Sequence, residues 1–152
     1  EIGVRLVGSE MCIRDRIVPK SQYDLYKENK SDKNILKLVQ MSNRRFGSVM
    51  EDIVCKKYGM KKAKTSIYDV VDKHGKRIEV KAGRISLTGV YNFLHIEDRD
   101  YDHFIFVIIK YNDILFYTIS KQELFDSGLL KRLGNQGFFC QYHKIQHLLL
   151  QI

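Results

Sequence analysis

The sequence predicts an α/β domain with a central mixed β-sheet flanked by helices. Three observations carry this. Phe46, Val49, Met50, Ile53 and Val54 recur at helical spacing and form one apolar stripe. Two β-branched runs between Ile67 and Lys81 are separated by a short polar turn that contains glycine. A nearly continuous apolar run, His103-Phe104-Ile105-Phe106-Val107-Ile108-Ile109, suits a central strand buried on both faces. Helices and strands that alternate in this way build layered α/β folds.

Taken in order, the first helix falls within Asn34 to Gln40, and Ser42 and Asn43 are suitable N-caps for the striped helix that follows. Ile67-Tyr68-Asp69-Val70-Val71 and Arg77-Ile78-Glu79-Val80-Lys81 read as the strands of a hairpin. A three-residue loop of Lys73, His74 and Gly75 places the glycine at the left-handed position and pairs Asp72 with Lys76. Ala82 to Ser86 extends the second strand to a loop at Thr88-Gly89. Between Tyr91 and Asp102 no periodicity decides the structure. After the 103–109 strand, Asn112-Asp113 turns the chain into Ile114 to Ile119, and Ser120-Lys121-Gln122-Glu123 is a capping box that opens a short helix to Phe125.

The hairpin brings charges together. Counting outward from its loop sets Asp69 opposite Glu79, with Cβ atoms roughly 5 Å apart. Side chains alternate along a strand, so Lys81 shares the Glu79 face while Ile78 and Val80 point into the core. Facing carboxylates repel unless a divalent cation, a proton or the Lys81 ammonium offsets them. Mg²⁺ accepts one or two carboxylates and is completed by water and phosphate oxygens, which makes a phosphodiesterase site one reading of the pair. An ordinary solvated strand face, alternating Glu and Lys, is the other.

Phe46-Gly47-Ser48-Val49-Met50-Glu51-Asp52-Ile53-Val54, then Tyr68-Asp69, then Glu79-Val80-Lys81 resemble the PD-(D/E)xK nuclease superfamily, which includes many type II restriction endonucleases and Holliday-junction resolvases. The resemblance covers about residues 43 to 125, and Tyr68 stands where the family name has proline. It implies a restriction-endonuclease-like core in which Asp69, Glu79 and the Val80 carbonyl bind Mg²⁺. Lys81 orients or activates the attacking water, and Glu51 contributes from the helix. The implied activity is a Mg²⁺-dependent endonuclease that hydrolyses DNA to 5′-phosphate and 3′-hydroxyl ends, usually as a homodimer. A junction resolvase, another DNA-repair nuclease, and a non-catalytic DNA-binding module of the same fold are the alternatives.

Composition agrees with a polyanionic partner. The 152 residues carry 26 Lys and Arg against 18 Asp and Glu, a formal net charge of +8. Clustered cations gain from counterion release on nucleic acid. Lys61, Lys62, Lys64, Lys76 and Arg84 flank the acidic residues and are the candidate nucleic-acid contacts. No apolar stretch is long enough to span a membrane. Cys12, Cys55 and Cys140 have no paired spacing, which argues against a disulfide framework or a zinc ribbon and fits a reducing cytoplasm. Bacterial or phage cytoplasm is the expectation.

Residues 1 to 16 resemble the conceptual translation of a sequencing adapter, which leaves 17–152 as a single nuclease-like domain. Their three basic and three acidic residues cancel, so the excess charge belongs to the remainder. His143 and His147 are spaced i, i+4, but no glutamate follows His143 as a HExxH site requires. Phe138, Phe139 and Tyr142 read as core aromatics before base-stacking ones.

Overall fold

Ser21, Asp32 and Ser42 each turn the chain into a helix by accepting a hydrogen bond from a backbone N–H of the first turn. The computed structural model describes residues 21–152, so the 1–16 leader, Cys12 and Pro19 lie outside the described residues. The helices are α1 (Gln22–Glu28), α2 (Lys33–Gln40) and α3 (Asn43–Tyr58). The first is additional to the predicted set, and its capping box of Ser21 and Asp24 is the signal for it. Gly59 ends α3 in the left-handed conformation, φ +67°.

The strands that follow are β1 (Lys61–Lys62), β2 (Val70–Val71), β3 (Arg77–Arg84), β4 (Asn92–Ile96), β5 (His103–Ile109) and β6 (Ile114–Ser120). After α4 (Lys121–Asp126) come β7 (Lys131–Arg132), β8 (Phe138–Gln141), α5 (Tyr142–Ile145), a 3₁₀ turn and β9 (Leu150–Gln151). Six strands form a mixed sheet in the order β9-β6-β5-β3-β2-β1, in which β3 and β5 run parallel and the other neighbours antiparallel. A second, three-stranded sheet has the order β4-β8-β7.

Burial explains the layering. Along β5, Ile105, Val107 and Ile109 pack with Tyr26, Leu38, Phe46, Met50 and Val54 of the helices. Phe104, Phe106 and Ile108 pack on the opposite face with Phe93, Ile96, Leu124, Cys140 and Ile145. An apolar run without alternation is what a strand between two cores requires. Phe104 and Phe106 stack with centroids 5.1 Å apart, and Phe93 adds a tilted contact at 4.4 Å. Tyr142 is buried in this second core, its hydroxyl donating to that of Tyr117 at 2.8 Å.

The hairpin closes as its sequence predicts. Gly75 has φ +80°, the Asp72 N–H donates to the Lys76 carbonyl at 3.0 Å, and the Asp72 carboxylate accepts from the N–H groups of His74 and Lys76. One expectation is corrected. The first strand is confined to Val70–Val71, because the Asp69 carboxylate takes the Val80 N–H at 2.8 Å and the Asp69 N–H donates to Ile78 instead of continuing the ladder. Residues 64 to 67 bend away, with Thr65 accepting from the Ile67 N–H. Among the described residues no helix is long and apolar enough to cross a membrane.

Candidate active site

The side chains of Asp69, Glu79, Lys81 and Glu51 meet where β2 and β3 diverge beside α3. Register pairs Val70 with Ile78 and Val71 with Arg77, and just beyond this ladder the Asp69 carboxylate takes the Val80 N–H, next to Glu79. Ile78 and Val80 are buried in the helix-side core, which leaves Glu79 and Lys81 on the other face with side chains 18% and 19% exposed. Glu51 projects from the middle of α3 between buried Met50 and Val54 and is 26% exposed. Lys62 of β1 approaches this glutamate at 3.6 Å.

Asp69 stands close enough to both Glu51 and Glu79 for its charge to act on each. Burial first, and then the Asp69 charge, raises Glu79 from 4.5 to about 8, against the opposing pull of Lys81. The same two causes, burial leading, raise Glu51 from 4.5 to about 7, with Lys62 opposing. Carboxylic acids pressed together in this way share protons when no cation is present. Lys81 Nζ lies 3.7 Å from Glu79 Oε2 and donates to the His95 carbonyl at 3.0 Å. The ammonium is therefore a neighbour of Glu79 and not its tight ion-pair partner.

The donor set fits a hard divalent cation. Oxygen atoms of partly buried carboxylates whose ionisation is opposed by one another are what such an ion neutralises. Among the described residues no group of three or more His, Cys, Asp or Glu already has ligand-like geometry, so the fit rests on the chemistry of the donors. Val80 contributes its main chain, and its N–H holds Asp69 in place. His143 and His147 are both exposed, on α5 and on the 3₁₀ turn after it. His74 is a residue of the hairpin turn.

The candidate nucleic-acid contacts divide in two. Lys61, Lys64 and Lys76 are exposed. Lys62 is engaged internally, 2.9 Å from Asp52 and 3.6 Å from Glu51. Arg84 is engaged more fully. Its guanidinium donates to the carbonyls of Leu38, Val39 and Met41 and to Asn43 Oδ1, and it stacks on the Phe46 ring at 4.2 Å. It closes the C-terminal end of α2, where free carbonyls collect. Arg84→Met is expected to lower stability by roughly 2 kcal/mol in urea titrations while leaving DNA affinity unchanged. A matching loss of affinity without loss of stability would return Arg84 to the binding surface.

Sequence reasoning missed two contributors. Arg77 pairs with Asp102 through Nε and Nη2 at 3.2 and 3.0 Å and with Asp100 at 2.8 Å, and Asp102 returns its N–H to the Arg77 carbonyl. The Arg77 hydrogen bonds hold the Asp102 carboxyl down at about 2. That clamp ties the start of β3 to the start of β5, two residues before Glu79. The other is His95, whose carbonyl receives the Lys81 ammonium.

Fold and site together define a mixed α/β protein with a carboxylate and lysine cluster on an inner strand of its central sheet, beside the short β2. No protein-family profile matches the chain, and no curated protein matches it.

Proposed function

We propose that the chain is a Mg²⁺-dependent DNA endonuclease with a restriction-endonuclease-like core. One observation carries the reading: Glu51 from a helix and Glu79 from a strand both lie within the electrostatic reach of Asp69, and Lys81 stands 3.7 Å from Glu79 on the same face. A module that only bound DNA would gain nothing from buried acids placed beside phosphate. The basic excess of the chain draws DNA to the acidic site.

Asp69 and Glu79, with the main chain at Val80, are the residues that would hold the ion. When bound, Mg²⁺ supplies an activated water and neutralises charge on the phosphodiester. Asp69 is fixed by the Val80 N–H, which orients one carboxylate oxygen and leaves the other for binding. Lys81 is placed to donate to the attacking water or to a phosphate oxygen. Glu51 adds a third acidic group that reaches the site through Asp69. Lys61, Lys64 and Lys76 contact the phosphate backbone on either side.

The reading is tested by nicking of supercoiled plasmid with wild type, Asp69→Ala and Lys81→Ala, with and without Mg²⁺. Cleavage requires Mg²⁺ and is lost in both variants. Cleavage that survives both substitutions removes the site assignment, and absence of Mg²⁺-dependent cleavage on linear, supercoiled and four-way-junction DNA favours the binding module. For the cationic residues, Lys64→Ala and Lys76→Ala are each expected to weaken DNA binding and to lower the salt slope by about one. An unchanged slope in a fluorescence-anisotropy titration would exclude the residue from phosphate contact.

A further inference from the structure

The Lys81 ammonium is held by an irregular piece of β4. His95 lies within this strand yet has φ +56°, a left-handed conformation that a non-glycine residue rarely adopts. The pairing shows why. Phe93 faces Cys140 and Ile96 faces Phe138, so three steps along β4 match two along β8 and one residue is extra. That is a β-bulge, a device that re-aims a strand's groups.

The surroundings over-determine it. Phe93 and Ile96, on either side of the bulge, are anchored in the core at 1% and 0% exposure. Gly137, φ +83°, presses on the same place from β8's hairpin, and a Cβ there would stand 2.6 Å from the Ile96 carbonyl oxygen. With both flanks fixed, the extra residue turns outward and its carbonyl meets Lys81 Nζ at 3.0 Å. Strain held by its surroundings beside a cluster of charged groups is the pattern of a positioning element.

We propose that the β-bulge at His95 is the positioning device for Lys81, acting through the His95 main-chain carbonyl. The carbonyl holds the ammonium back from Glu79, at 3.7 Å where a contact ion pair would close to about 2.8 Å. Glu79 stays available to a cation, and Lys81 keeps a donor for the reacting groups. The kinetic part of this inference rests on the endonuclease reading. The imidazole of His95 is exposed and takes no part, so what matters at position 95 is tolerance of positive φ.

The test compares His95→Val, which resists positive φ, with His95→Asn and His95→Gly, which accept it. His95→Val lowers kcat for plasmid cleavage by about 10- to 100-fold and weakens Mg²⁺ affinity, because the released ammonium closes on Glu79, while KM for DNA stays near wild type. Asn and Gly restore kcat. Should the valine variant fail to fold, His95→Ala replaces it, with a smaller kcat loss in the same sense. Independently of activity, ammonium-selective NMR reads the exchange of the Lys81 Nζ protons with water, which is slowed in wild type, Asn and Gly variants and fast in Val. Unchanged kcat and unchanged exchange in the valine variant overturn the proposal, as does an equal kcat loss in all three variants, which would make the imidazole the active group. If wild type cleaves no DNA, the endonuclease reading fails by itself, and the NMR comparison alone decides whether the bulge positions Lys81.

Discussion

Glu79→Gln is expected to abolish Mg²⁺-dependent cleavage and, in the same protein, to raise stability. The two effects have one cause. Burial and the Asp69 carboxylate oppose ionisation of Glu79, so above pH 8 the metal-free protein carries a partly buried charge that its surroundings resist. A glutamine of nearly the same shape removes that charge, and its amide can donate to Asp69. The gain is roughly 1–3 kcal/mol at pH 9, read as the shift in urea midpoint without metal. Cleavage falls by about a thousandfold or more if Glu79 is the ion ligand proposed above. Lys81→Met should move stability in the opposite direction, since it takes away the ammonium that moderates the Glu79 charge. A Glu79→Gln protein that is less stable than wild type at pH 9 would mean that Glu79 is held by favourable contacts, as an ordinary structural acid is.

The hairpin was readable because two local rules agree on it. Gly75 sets the loop and period-two alternation sets the faces, and together they put Glu79 and Lys81 on one face of the second strand, whereas Asp69 reaches that strand through the Val80 N–H and not through the ladder. The two-sided burial of β5 was equally plain from its unbroken apolar run. β4 was not readable, and the bulge is the reason. Phe93 and Ile96 are both buried although three residues apart, which breaks the alternation that marks a strand. β1 is two lysines long, too short to leave any pattern, so its pairing with β2 and the approach of Lys62 to Glu51 emerge only in three dimensions. Arg84 illustrates another limit. Its role depends on where α2 ends in space, 41 to 46 residues earlier in the chain, and a basic residue near a motif looks the same whether it faces phosphate or a helix terminus.

Stability without metal should fall between pH 5 and pH 8, and Mg²⁺ should reverse the fall. Glu51 at about 7 and Glu79 at about 8 both lie above the ordinary value of 4.5. Below that value the folded and unfolded chains are both protonated at these groups, and the neutral, hydrogen-bonded acids are fully tolerated. As pH rises through it, the unfolded chain releases its protons first, so unfolding becomes easier until the folded acids ionise near pH 7 to 8. The loss levels off above that, at roughly 2–4 kcal/mol, less than two independent shifts because the acids act on one another through Asp69. Bound Mg²⁺ favours the ionised forms, so binding near pH 6.5 releases protons and tightens as pH increases. Calorimetric titration in two buffers of different ionisation enthalpy measures that release, and thermal melts from pH 5 to 9 with and without Mg²⁺ measure the linkage. Melting curves that coincide at pH 5 and separate by pH 8 are expected. If metal instead shifted both ends equally, it would be binding away from Glu51 and Glu79, and the carboxylate cluster would have to be read as a structural pair of shared-proton acids.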